Sequence, residues 1–109
     1  MELLPEKLER RIPRLFETEG KDEPVCQVKY FVPWSRWTFY GIEYDREERL
    51  FYGFVLSGLD TRFDELGFFS LDELEKVKGP AGLKRERDLY FTPTPLSEIR
   101  SRAVAGNPV

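Results

Sequence analysis

Histidine is absent from the 109 residues and cysteine occurs once. Without His the chain holds no Ser-His-Asp or Cys-His arrangement, no histidine-ligated metal centre and no imidazole base near neutral pH, which excludes most familiar hydrolases. Cys26, alone, makes no intramolecular disulfide and completes no zinc pair. On a strand it behaves as a small buried hydrophobe. No apolar run approaches the roughly 20 residues that span a bilayer. The opening MELLPEKLERR lacks the basic-then-apolar order of a signal peptide, so the expected location is cytoplasmic, away from membranes. A charge excess is missing too: 17 basic residues face 20 acidic ones, a net charge of −3 that offers no general attraction to phosphate backbones. Repeats, low-complexity tracts and dividing linkers are also absent. No cofactor-binding motif is present, and neither a cofactor nor a metal is expected.

Aromatic residues are plentiful: nine Phe, five Tyr and two Trp within a 40% hydrophobic composition. Such side chains bury large apolar surfaces, so a chain of this length supports one sizeable core and predicts a single domain over residues 1–102.

The N-terminus places Leu4, Leu8, Ile12 and Leu15 at helical spacing, predicting an amphipathic helix that breaks near Pro13. Glu19 to Pro24 is a polar loop. Val25 to Val32 alternates as a half-buried strand with Val28, Tyr30 and Val32 on one side. Trp37 to Asp45 and Leu50 to Leu56 predict two more strands, antiparallel across the charged loop Asp45 to Arg49. Gly41 and Gly53 sit mid-strand, where a bulge or a close approach is expected. Ser57 to Leu66 reads as an irregular connection, and Gly67-Phe68-Phe69 as a short fourth strand.

Ser70 stands three residues before Glu73 and predicts a reciprocal capping box on a helix at about 70–78, which Gly79-Pro80 closes. Leu83 to Phe91 predicts an extended segment entering the sheet edge. Thr94 is a candidate N-cap, with Pro95 opening a short helix through Leu96, Ile99 and Arg102, before a fraying tail over 103–109. The fold class is therefore α+β: an antiparallel meander of about four strands flanked by three helices.

Several of these segments carry a resemblance: Ile12-Pro13-Arg14-Leu15-Phe16, Thr18-Glu19-Gly20, Val28 to Pro33, Trp37-Thr38-Phe39-Tyr40 with Glu43, and Phe51-Tyr52-Gly53. Gly67 to Leu71, the unusual turn Gly79-Pro80-Ala81-Gly82-Leu83 and Glu86 to Phe91 complete it. In this order they resemble a family of small bacterial proteins classed as a domain of unknown function, often encoded on plasmids and integrative/conjugative elements. The resemblance covers nearly the whole chain. It implies a cytoplasmic accessory protein of a mobile element and brings no catalytic residues with it.

Glu86-Arg87-Asp88 is the most site-like cluster, with Arg85 beside it, since a guanidinium between two carboxylates presents fixed donors and acceptors. A structural ion pair pinning the segment to the sheet is the competing account. Trp34, Trp37, Phe39 and Tyr40, with Lys29 and Arg36 nearby, form an aromatic group of the kind that stacks on single-stranded nucleic acid, against which stands ordinary core packing. Glu43 and Asp45 share a strand face and are a candidate carboxylate pair for acid-base work or a hard cation; Asp60, Asp64 and Glu65 are candidate ligands for Mg²⁺ or Ca²⁺, although their spacing fits no calcium loop. The acidic stretches also suggest imitation of a phosphate array, which the interspersed lysines and arginines oppose.

The leading expectation is a non-enzymatic module that binds a protein partner through an aromatic or charged patch drawn from Trp34, Trp37, Tyr40, Glu43, Arg85, Glu86, Arg87 and Asp88. Single-stranded nucleic-acid binding is the alternative, and a small carboxylate- or metal-dependent enzyme is third.

Overall fold

The computed structural model describes residues 1–20, 23–58 and 64–104. Two long strands form its centre, β3 (Thr38–Asp45) and β4 (Leu50–Leu56). On one side β4 pairs with β5 (Glu65–Ser70). On the other β3 pairs with β2 (Val28–Phe31), which in turn pairs with β6 (Glu86–Arg87). Every pairing is antiparallel, so β2 to β5 is the expected meander and β6 adds a fifth strand at its edge. The extended Leu83 to Phe91 segment thus meets the sheet where its sequence predicts. The fourth strand is longer than Gly67-Phe68-Phe69, because Leu66 and Glu65 continue the ladder opposite Phe54 and Val55.

The strand predicted over Val25 to Val32 is divided. β1 (Val25–Cys26) pairs with β7 (Thr94–Pro95) in a separate two-stranded ribbon, while β2 begins at Val28. Burial still alternates as predicted, with Val28, Tyr30 and Val32 all inside.

Both faces of the large sheet are covered. One carries Val28, Tyr30, Tyr44 and Phe51 under Leu3, Leu4, Ile12 and the α2 residues Leu71 and Leu74, where α2 spans Leu71–Lys76. The other carries Tyr40, Ile42 and Phe54, packed with Cys26 of the small ribbon under Leu96 and Ile99 of α3 (Leu96–Val104). Each fully buried large side chain is worth about 1.5–3 kcal/mol of transfer free energy, which makes these two layers the main source of stability. Gly41 faces Gly53 across the central pair. A Cβ on Gly41 would lie 2.7 Å from the Phe51 ring, and one on Gly53 would collide with the Tyr40 carbonyl, so close approach explains both.

Five local expectations are corrected by the structure. The N-terminal helix α1 covers four residues, Glu6–Glu9, because Leu3 and Leu4 are drawn into the core ahead of it. The Tyr30 hydroxyl fixes them by donating to the Leu3 carbonyl at 2.7 Å. With Pro5 at its start and Pro13 beyond, little more than one turn remains. Half of the capping box forms at α2: Ser70 Oγ accepts from the Glu73 N–H at 3.2 Å, while Ser70 itself stays in the β5 ladder opposite Leu50.

Val77, not Gly79-Pro80, caps the end of α2. Gly79-Pro80 belong to a reverse turn in which the Gly79 N–H donates to Leu83 at 2.8 Å and the Leu83 N–H to Pro80 at 3.1 Å. Thr94 lies in β7 with its hydroxyl donating to the Thr92 carbonyl, and the Glu23 carboxylate receives the Ser97 N–H at 2.9 Å in its place. That bond, helped by the Ser97 hydroxyl, holds Glu23 below the usual carboxylate range. α3 runs through Val104, two residues into the predicted tail; residues 105–109 lie outside those described.

Candidate functional site

β6 is short because Asp88 turns the chain away from the sheet. The Asp88 N–H donates to the Lys29 carbonyl at 2.9 Å, one bond beyond the paired residues. Its carboxylate then accepts the Tyr90 N–H at 2.9 Å and its carbonyl the Phe91 N–H at 3.3 Å. This is the aspartate turn geometry that such side chains favour. It projects Leu89 and Tyr90 outward, Tyr90 to 93% exposure, and returns Phe91 to the core against Tyr40 with ring centroids 5.7 Å apart.

A second turn faces it. The Ser35 N–H donates to Val32 and the Trp37 N–H to Ser35 Oγ at 3.1 Å, so the chain doubles back into β3 with the Trp37 indole outside. Trp37 is 42% exposed and stacks on Phe39 at 6.3 Å. Between the turns lies a cavity of about 530 Å³, walled by Trp37, Tyr90 and Leu89 with Lys29, Arg36 and Glu86 among its polar residues.

Trp37, Glu86, Arg87 and Asp88 are therefore brought together, although the two parts lie about 50 residues apart in sequence. The predicted carboxylate-guanidinium-carboxylate cluster does not form. Asp88 pairs with Lys29 Nζ at 3.5 Å, and Arg87 Nε donates to the Glu2 carbonyl at 3.3 Å, clasping the N-terminal segment. Glu86 is half-buried, and its carboxylate makes no hydrogen bond or ion pair among the described residues. Alternating directions along an extended segment send the three side chains to different neighbours.

The other candidates fall elsewhere. Trp34 is half-buried with its indole flat against Gly79, where an added Cβ would meet two ring atoms at 2.6 Å. Tyr40 is fully buried, its hydroxyl unpartnered among the described residues, and burial pushes its phenol above the usual range. It belongs to the core and not to a surface patch. Arg85 buries Nε without a partner among the described residues.

Glu43 is 5% exposed, accepting the Phe16 N–H at 2.9 Å, the Thr18 N–H at 3.0 Å and the Thr18 hydroxyl. Asp45 instead accepts the Glu47 N–H at 3.2 Å within the hairpin loop, so the two carboxylates serve different loops and do not act as a pair. Asp64 accepts the Ser57 N–H at 2.9 Å, and Asp60 lies outside the described residues. Among the described residues no three His, Cys, Asp or Glu side chains gather as metal ligands. Cys26 is fully buried as expected, and burial pushes its thiol up to about 12.

Leu89 and Tyr90 are absent from the site expected on sequence. The available signal was Asp88 two residues before Tyr90, an aspartate placed to turn the chain and expose the residues after it.

A family model described as "Protein of unknown function (DUF2958)" matches residues 3–107. The chain belongs to that family. Both turns of the groove, the Gly79 to Leu83 turn and the Glu43 loop all lie inside the matched span. No curated protein and no solved structure matches the chain. Among the described residues no helix is long and apolar enough to cross a membrane.

Proposed function

We propose that the chain is a non-enzymatic binding module that receives a protein partner in the groove between the Trp37 and Tyr90 turns. The observation that carries this reading is the outward projection of Tyr90 and Trp37 around one cavity, each by a turn that a hydrogen-bonding side chain holds in place. Tyr and Trp dominate binding energy at protein interfaces because they bury large areas with few rotatable bonds. Glu86 and Arg36 supply charge of both signs at the rim, the pattern of a polar border around an aromatic anchor.

Single-stranded nucleic acid is the second reading, favoured by the stacked Trp37 beside Arg36. Glu86 and Asp88 in the same groove oppose a phosphate backbone. A carboxylate- or metal-dependent reaction draws no support from Glu43 and Asp45, which are committed to separate loops.

The test compares the native chain with a Trp37→Ala, Tyr90→Ala variant as bait for partners that are then purified and titrated. Loss of about 2 kcal/mol or more per aromatic anchor, with an unchanged circular dichroism spectrum, is the expected result. Full retention of every partner by the variant refutes the assignment. Salt-dependent binding of oligonucleotides that disappears in the variant replaces it with the second reading.

A further inference from the structure

The bulge in β3 builds a second pocket on the α3 face of the sheet, independent of the groove. Gly41 pairs with Gly53 and Glu43 with Tyr52, so Ile42 is an extra residue and its neighbour Glu43 is turned to the same face. Ile42 fills the core, and Glu43 forms part of a cavity of about 340 Å³ whose walls include Tyr52, Phe68 and Phe16. Tyr52 and Phe68 meet edge to face at 5.4 Å.

Phe16 is 66% exposed and has φ 67°, in the left-handed region that a bulky residue occupies at a cost of about 1–3 kcal/mol. Its N–H and that of Thr18 both hold Glu43, so the strained loop is fastened to the carboxylate of a pocket-lining residue.

Glu43 has donors but no counter-charge: among the described residues no lysine or arginine pairs with it. A carboxylate this buried is ordinarily compensated by a cation. Glu43 Oε2 accepts two hydrogen bonds and Oε1 one, which leaves Oε1 with capacity for another in a residue that lines the pocket. Around it are aromatic rings, whose faces attract cations.

From these features we propose that the pocket binds a primary alkylammonium group, its nitrogen donating to Glu43 Oε1 and its methylene chain lying against Tyr52 and Phe68. One open acceptor suits the compact point charge of an ammonium better than the two-pronged guanidinium. A hard metal ion requires six or more oxygen ligands, whereas among the described residues only Glu43 and Glu19 bring carboxylates to this pocket and no three His, Cys, Asp or Glu side chains gather.

The experiment titrates the ¹⁵N-labelled chain with n-butylammonium, with Nα-acetyl-lysine amide and with uncharged 1-butanol at constant ionic strength, following the Phe16 and Thr18 amide resonances. Saturable shifts with the ammonium compounds, and binding of butanol at least about tenfold weaker, are expected. Phe68→Ala removes a 54%-exposed ring whose loss leaves the core intact, and it weakens ammonium binding about three- to tenfold. A tighter response to the lysine derivative assigns the site to a lysine side chain of a peptide, the reverse to free alkylamines. Absence of saturable shifts, equal response to butanol, or unchanged affinity in Phe68→Ala overturns the proposal.

Discussion

The contact between Trp34 and Gly79 decides whether Trp34 is a binding residue or a structural one, and it supports a quantitative test. Gly79 has φ −115° and ψ −169°, extended backbone that alanine adopts freely, so Gly79→Ala introduces no backbone strain. Its methyl group would nonetheless sit 2.6 Å from Trp34 Cε2 and Cε3, about 1 Å inside ordinary contact. The indole or the turn has to retreat, and overpacking of that kind costs about 1–3 kcal/mol. Removing the ring reverses the sign: in a Trp34→Ala background the three closest neighbours of the added methyl are gone, and Gly79→Ala gains about 0.4–1 kcal/mol by restricting the unfolded chain. A double-mutant cycle therefore has a coupling energy of about 1.5–4 kcal/mol, far above its usual error. Urea unfolding followed by far-ultraviolet circular dichroism measures all four proteins without relying on the fluorescence of the deleted indole. If Gly79→Ala costs the same with and without Trp34, the contact does not bear on stability and Trp34 becomes a candidate binding residue again.

Two further predictions concern charge. Burial pushes the Cys26 thiol up to about 12 and the Tyr30 and Tyr40 phenols above their ordinary range. The folded state then holds protons that the unfolded state releases. Stability is full below about pH 9, where the unfolded thiol begins to ionise, and falls above it, by up to about 1.4 kcal/mol per pH unit for each group once past its unfolded pKa; urea midpoints that stay constant to pH 11 would contradict this. Arg49, which bridges Asp72 at 2.6 Å and Glu75 at 2.5 Å, ties the β3-β4 loop to α2 from a partly exposed position. Arg49→Ala should lower stability by no more than about 1 kcal/mol, and by less in high salt; a larger, salt-independent loss in the same unfolding assay would show that its contribution is not ionic.

Much of the fold was legible in local sequence. Alternation over Val28 to Val32 and the aromatic runs Trp37 to Asp45 and Leu50 to Leu56 specify strands because side chains repeat every second residue. Ser70 opens α2 by accepting a nearby N–H, a contact within four residues. The charged loop from Asp45 to Arg49 joins its two strands for the same reason of proximity. These features depend on neighbours in the chain, which the sequence displays directly.

Tertiary structure decided which aromatics are available. Period-two alternation sorts residues onto two faces, but both faces of this sheet are covered, so alternation alone does not separate buried Tyr40 from exposed Trp37. The single extra residue at Ile42 reverses the parity of the remainder of β3 and turns Glu43 inward; Gly41 signalled a bulge at this point of the strand, but which way Glu43 then faces follows from the register with β4. Glu23 caps a helix 74 positions away, and Arg87 holds the backbone of Glu2 across 85. Residue types set the strands and turns, while the charges and rings found their neighbours through contacts that exist only once the two layers have closed around the sheet.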